Sequence, residues 1–119
     1  MEAKHSLAKS FGFALDGLKE AVFRGRNFRI QLTFGVLACI LGIILKLAPY
    51  EWLDLSIVIT LVLILELVNT SIEALVDIIS PEKQEKARIA KDVAAATVLV
   101  ASIGSVIVGI LLFLPKLVH

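Results

Sequence analysis

The chain has one cysteine in 119 residues, Cys39, and it lies inside an apolar run. A lone cysteine excludes a disulfide within the chain and a multi-cysteine zinc site. A buried, inert thiol is the expected role. The two histidines, His5 and His119, stand at the extreme ends and form no ligand set. Net charge is +1, so no basic excess points towards nucleic acid. The sequence has no GxxxxGK(S/T) loop, no GxGxxG and no HRD or DFG signature, so the common nucleotide-binding motifs are absent. Charge itself is missing from long stretches. Ile30 to Leu45 and Val93 to Leu114 contain no formally charged residue.

What remains is apolar. Hydrophobic residues make up 58% of the chain and mean hydropathy is +0.91. Soluble domains run at about 45–50% apolar, so this is a membrane-protein composition, and the length suits a single domain. The expected architecture is an all-α integral membrane fold. An N-terminal surface helix over about residues 6–26 precedes transmembrane helices over about 28–48, 54–78 and 92–114. Leu7, Phe11, Ala14, Leu15, Leu18, Ala21 and Val22 share one face of the first helix, as an interfacial helix requires. A cleavable signal peptide is not expected, because the first long apolar run begins only near residue 30, after this charged stretch. Tyr50 and Trp52 occupy an expected aromatic belt. Ser80 and Pro81 read as an N-cap and a first helical residue. Thr97, Ala101, Ser105 and Gly109 recur every fourth residue and suit close helix packing.

The second span is the exception to the missing charge. Glu66, Asn69, Glu73 and Asp77 are spaced three, four and four apart. At about 100° per residue they fall within roughly 80° of one another. A charge at the bilayer centre costs at least about 2.5–3.5 kcal/mol, so this acidic face must meet a protein interior or a wet cleft. The N-terminal flank holds Lys19, Arg24, Arg26 and Arg29, and Lys83, Lys86, Arg88 and Lys91 lie in the 78–92 loop. The 46–54 turn holds only Lys46. The positive-inside rule then puts the N-terminus and the 78–92 loop in the cytoplasm, with the C-terminus outside. The acidic ladder climbs towards the compartment that contains ATP.

Three classes of protein fit such a ladder. One is an enzyme acting on a lipid head group, with Glu73 as a Mg²⁺ ligand, Glu66 accepting a proton and Lys91 holding phosphate charge. Another is a small proton-coupled transporter. The third is a structural subunit whose charge pairs fix packing.

A resemblance separates them. The run Glu66-Leu67-Val68-Asn69-Thr70-Ser71-Ile72-Glu73-Ala74-Leu75-Val76-Asp77, followed by Ala90-Lys91-Asp92-Val93-Ala94-Ala95, resembles the signature of the prokaryotic integral-membrane diacylglycerol kinase family. Arg26–Ile30 and Phe113–Lys116 resemble its Gram-positive branch, which includes undecaprenol kinases. The resemblance implies a homotrimer that transfers the γ-phosphate of Mg-ATP to a lipid alcohol, in sites shared between subunits. The acceptor it suggests is undecaprenol, with diacylglycerol as the alternative. It implies that Glu66 is the general base, that Asn69 organises the site, and that Glu73 binds the divalent metal. Asp77, Lys91 and Asp92 would surround the nucleotide. Glu20-Ala21-Val22-Phe23-Arg24 resembles a run whose glutamate is a metal ligand in the proteobacterial branch, making Glu20 the second metal candidate; its other reading is a solvated surface charge. Two departures stand out. Gly25 occupies a place where the Gram-positive branch usually carries a glutamate, and Gln31 one where relatives often have a histidine.

Overall fold

A computed structural model describes residues 6–118. The regular structure of the described residues is helical: α1 (Leu7–Arg24), α2 (Arg26–Ile44), α3 (Pro49–Ile79) and α4 (Glu85–Leu117). Helices α2, α3 and α4 are each long and apolar enough to cross a membrane. At 1.5 Å per residue, α3 with its 31 residues is about 46 Å long. That exceeds the ~30 Å hydrocarbon layer, so one end of α3 projects beyond it. The chain is a multi-pass membrane protein.

Each helix end has a local cause. The Ser6 hydroxyl accepts the Lys9 N–H at 3.2 Å and caps the start of α1. At its other end, the Arg29 guanidinium donates to the carbonyls of Val22 and Phe23 at 2.9 and 3.0 Å. These are carbonyls that the helix itself leaves unpaired. One arginine of the basic flank is therefore a helix cap. Helix α2 ends where Lys46 turns left-handed, with φ 58°. The Leu47 N–H then bonds the Gly42 carbonyl at 3.0 Å and the Lys46 N–H bonds that of Ile43 at 3.2 Å, the Schellman pattern. Pro49 opens α3, and the Ala48 N–H donates to Glu51 Oε1 at 2.9 Å. The same oxygen meets Lys116 Nζ at 3.1 Å, joining the start of α3 to the end of α4.

The link between α3 and α4 differs from the expected one. Ser80 is the C-cap of α3, its N–H bonded to the Val76 carbonyl at 2.8 Å, and α4 begins only at Glu85. Ser80 therefore closes one helix rather than opening the next, because α3 runs on through Asp77 to Ile79 and already claims that N–H.

Helix α3 packs mainly along α4 and less against α2, while α1 meets α2. The tightest core is at the 46–54 turn, where Leu47, Leu55, Leu112 and Phe113 are buried with Trp52 against them. Tyr50 is exposed, whereas Trp52 packs inward: a Cβ on Gly42 would stand 2.9 Å from the Trp52 ring and from Leu47. Elsewhere burial is slight. Within this chain only 11%, 22% and 17% of the apolar windows of α2, α3 and α4 are buried. Their remaining Leu, Ile and Val faces must be covered by lipid or by other chains.

Gly42→Val should force the Trp52 ring outward and lower the thermal midpoint in micelles, at a cost of about 1–3 kcal/mol. Lys46→Gly should raise the midpoint modestly, because glycine adopts the left-handed conformation without strain. Circular dichroism melts of both variants check the pair.

Candidate active site

The acidic face of α3 is divided between two clefts. The first, of about 960 Å³, has Glu66, Asn69 and Glu73 along α3 and Ala14, Gly17, Leu18, Glu20 and Ala21 along α1. Gly25, Arg26 and Asn27, where α1 hands over to α2, close its end. The second, of about 560 Å³, is lined by Asp77, Lys91 and Asp92, together with the 80–85 link and Arg88. Glu73 and Asp77 lie one helical turn apart, so the clefts follow each other along one face of α3.

Depth sorts the polar residues. Glu66 is 5% exposed and Asn69 6% exposed, as buried as the core leucines despite their polarity. The Asn69 Oδ1 has no hydrogen-bond partner among the described residues. Leaving such an acceptor buried and unpaired costs about 1–3 kcal/mol. A hydrogen-bond donor entering the cleft would satisfy it. Glu73 is only partly buried and Asp77 is exposed, so access to water increases along the face from Glu66 to Asp77.

The charged residues around these clefts are paired in a definite way. Glu20 Oε1 meets Arg24 Nε at 2.9 Å on the rim of the first cleft, with both side chains largely exposed. An exposed pair of this kind contributes ~0–1 kcal/mol, so Glu20 can turn towards the cleft cheaply. In the second, Lys91 Nζ donates to Asp77 Oδ1 at 2.8 Å. That hydrogen bond raises the Lys91 ammonium above its ordinary value, and the charges of Asp77 and Glu73 add to the effect. Arg88 reaches Asp92 at 2.7 Å and also pairs with Glu85.

All seven residues singled out in the sequence thus line one or the other cleft: Glu20, Glu66, Asn69 and Glu73 the first, and Asp77, Lys91 and Asp92 the second. No group of three or more His, Cys, Asp or Glu among the described residues could by itself hold a metal ion. The first cleft offers carboxylate oxygens from Glu73 and Glu20 beside an unpaired amide oxygen. That donor set fits a hard cation such as Mg²⁺, which keeps several waters and shares its shell with substrate phosphates. Gln31 lies outside this cleft, in an apolar groove among α2, α3 and α4, where Nε2 donates to Ser102 Oγ at 3.3 Å. The end wall at Gly25, Arg26 and Asn27 was not singled out by spacing. Its signal was the Gly25 break itself, which turns the first residues of α2 towards the face of α3.

Comparison with known proteins decides between the classes that the charge pattern left open. The family model for prokaryotic diacylglycerol kinase matches residues 12–113. The chain belongs to that family. It is 38% identical to the undecaprenol kinase of Bacillus subtilis (strain 168) over 109 residues, covering 92% of this chain and 89% of that protein. A diacylglycerol kinase of Synechocystis sp. is 42% identical over 113 residues, which span 94% of this chain and 65% of that protein. The diacylglycerol kinase of Escherichia coli (strain K12) is 34% identical over 101 residues, 85% of this chain and 83% of that one. Membership of the prokaryotic diacylglycerol kinase family makes the chain a lipid kinase, a phosphotransferase with an alcohol acceptor and a nucleotide donor.

Two substitutions test the cleft as geometry. A Cβ at Gly25 would stand 2.6 Å from the Ala21 carbonyl oxygen, so Gly25→Ala should shift the end of α1, lower the thermal midpoint and reduce turnover. Asn69→Leu removes a buried unpaired acceptor and should raise stability by about 1–3 kcal/mol, while activity is lost. Melts and assays on the same preparations check both.

Proposed function

We propose that the chain transfers the γ-phosphate of ATP to the hydroxyl of undecaprenol, giving undecaprenyl phosphate and ADP. One observation supports transfer to a lipid alcohol: a carboxylate and an unpartnered amide oxygen, Glu66 and Asn69, are buried one helical turn apart in the lining of one cleft on a membrane-type helix. The choice of undecaprenol rests on the 38% identity to the undecaprenol kinase of Bacillus subtilis. A lipid alcohol brings an O–H donor and an apolar body to that depth. Its hydroxyl donates first to this pair. The Glu66 carboxylate accepts the proton as the oxygen attacks Pγ. The new O–P bond forms as the bond from Pγ to the bridging oxygen breaks, and ADP leaves with that oxygen. Catalysis of this kind is mostly positioning and charge neutralisation.

The remaining roles follow from depth. Glu73 and Glu20 hold Mg²⁺, which when bound neutralises the charge on the phosphates of ATP. Lys91 holds nucleotide phosphate, with Asp77 and Asp92 around it. Lys91 enters with Asp77 as a partner, so binding trades one charge-assisted hydrogen bond for another. The basic flanks orient α1 and the 78–92 loop to the cytoplasm. Helix α1 lies on the membrane surface, where its exposed Leu7, Phe11 and Leu15 enter the head-group layer. The family resemblance suggests a homotrimer, which would cover part of the apolar faces that the three spans leave unburied.

Diacylglycerol is the second acceptor, favoured by the 42% identity to a diacylglycerol kinase. Both alcohols present one hydroxyl beside a large apolar body, so the cleft chemistry is common to them. The test offers labelled ATP with undecaprenol and diacylglycerol separately in mixed micelles, with Glu66→Gln beside wild type. Label should enter undecaprenol and fall by about 100-fold or more in the variant. A preference for diacylglycerol would overturn the substrate and leave the mechanism standing. Wild-type turnover by Glu66→Gln would remove Glu66 as the base.

A further inference from the structure

The first cleft gathers three carboxylates, Glu20, Glu66 and Glu73, yet under the lipid kinase reading it must accept a phosphoryl group carrying negative charge. Two cations line it, Arg24 and Arg26. Arg24 is committed to Glu20. Its neighbour in the flank, Arg29, is committed to the end of α1, and Lys91 belongs to the second cleft. Arg26 has no ion pair or side-chain hydrogen bond among the described residues. It is also the first residue of α2, and the N-cap before it, Gly25, has no side chain to cap that turn. An uncapped helix N-terminus attracts anions, and a guanidinium adds a planar pair of donors matched to phosphate oxygens. An independent observation points to a ligand in the same cleft: the buried Asn69 Oδ1 lacks a donor. An acceptor for a hydroxyl and a free cation for a phosphate thus line one cavity.

We propose that Arg26, with the uncapped first turn of α2, binds the phosphoryl group as it passes to the lipid alcohol, and so binds the phosphate monoester product. This rests on the lipid kinase reading and adds a residue to it. Arg26 stays cationic throughout and exchanges no proton; the bonds made and broken are those of the transfer itself. Asp77, Lys91 and Asp92 keep the rest of the nucleotide in the second cleft while its γ-phosphate reaches the first, so Arg26 acts on the phosphate in transfer far more than on ATP affinity.

The test compares wild type with Arg26→Gln and Arg26→Lys, with Lys9→Gln as a charge-matched control away from both clefts. The acceptor is whichever alcohol wild type phosphorylates. Arg26→Gln should lower kcat about 100-fold, with KM for ATP within about twofold, and Arg26→Lys should recover part of the loss. A second readout needs no turnover. Farnesyl phosphate is titrated onto each protein in micelles without ATP or metal and followed by ³¹P NMR, and Arg26→Gln should bind it at least about tenfold more weakly than wild type. An active wild type with unchanged kcat and unchanged farnesyl phosphate binding in Arg26→Gln overturns the role of Arg26 alone. A raised KM for ATP with unchanged farnesyl phosphate binding also overturns it, by moving Arg26 to the nucleotide. A wild type that labels neither lipid overturns the kinase reading, and this inference with it.

Discussion

A carboxylate and an amide sit inside a helix that otherwise belongs in lipid, and the rest of the molecule is arranged to make that tolerable. Glu66 and Asn69 cannot face acyl chains without a cost of several kcal/mol each. Residues of α1 and the Gly25 turn line the same cleft across from them. The break at Gly25 is needed for this, because a continuous helix from residue 7 to residue 44 would carry α1 away from α3. Arg29 fixes the break by capping the carbonyls that the turn exposes. At the opposite end of the fold, Glu51 holds Ala48 and Lys116 together and pins α4 alongside α3. That pairing of α3 with α4 also brings Lys91 to Asp77.

The consequence is a gradient along one face. Glu66 is buried, Glu73 half-buried and Asp77 exposed. A kinase joining a lipid alcohol to a water-soluble nucleotide needs such a gradient, because its two substrates arrive from different phases. The residual cost is kept at the site. An unpaired Asn69 oxygen is a stability loss with no structural compensation, and polar groups held in this way mark places where binding has been favoured over folding.

Much of this was legible in the sequence. The first and third spans announced themselves by the absence of charge, and the acidic face of the second by the spacing of Glu66, Asn69, Glu73 and Asp77. The family followed from the motif around them. Local ambiguity hid the rest. Ser80-Pro81 has the chemistry of a helix start, but α3 extends far enough to use Ser80 as its end. Trp52 reads as a belt residue until the missing Cβ of Gly42 is seen to make room for its ring. Arg24, Arg26 and Arg29 are alike in sequence as flank charges; only the turn at Gly25 divides them into an ion-pair partner, a free cation and a helix cap. Glu20 became a metal candidate only by resemblance, since its spacing from the residues of α3 says nothing of whether α1 lines their cleft.

The most direct test of the account is a Mn²⁺ titration followed by electron paramagnetic resonance, with a non-hydrolysable ATP analogue present. Mn²⁺ reports the divalent ion without turnover, and so probes whether the face of α3 is the phosphoryl-transfer site. Wild type should bind tightly. Glu73→Gln should weaken binding at least about tenfold, Glu20→Gln should weaken it less, and Glu51→Gln at the far end should leave it unchanged; removing a metal-site group typically costs about 10–100-fold in affinity. Equal Mn²⁺ affinity in wild type and Glu73→Gln would contradict the account and move the metal, and with it the reaction, off this face of α3.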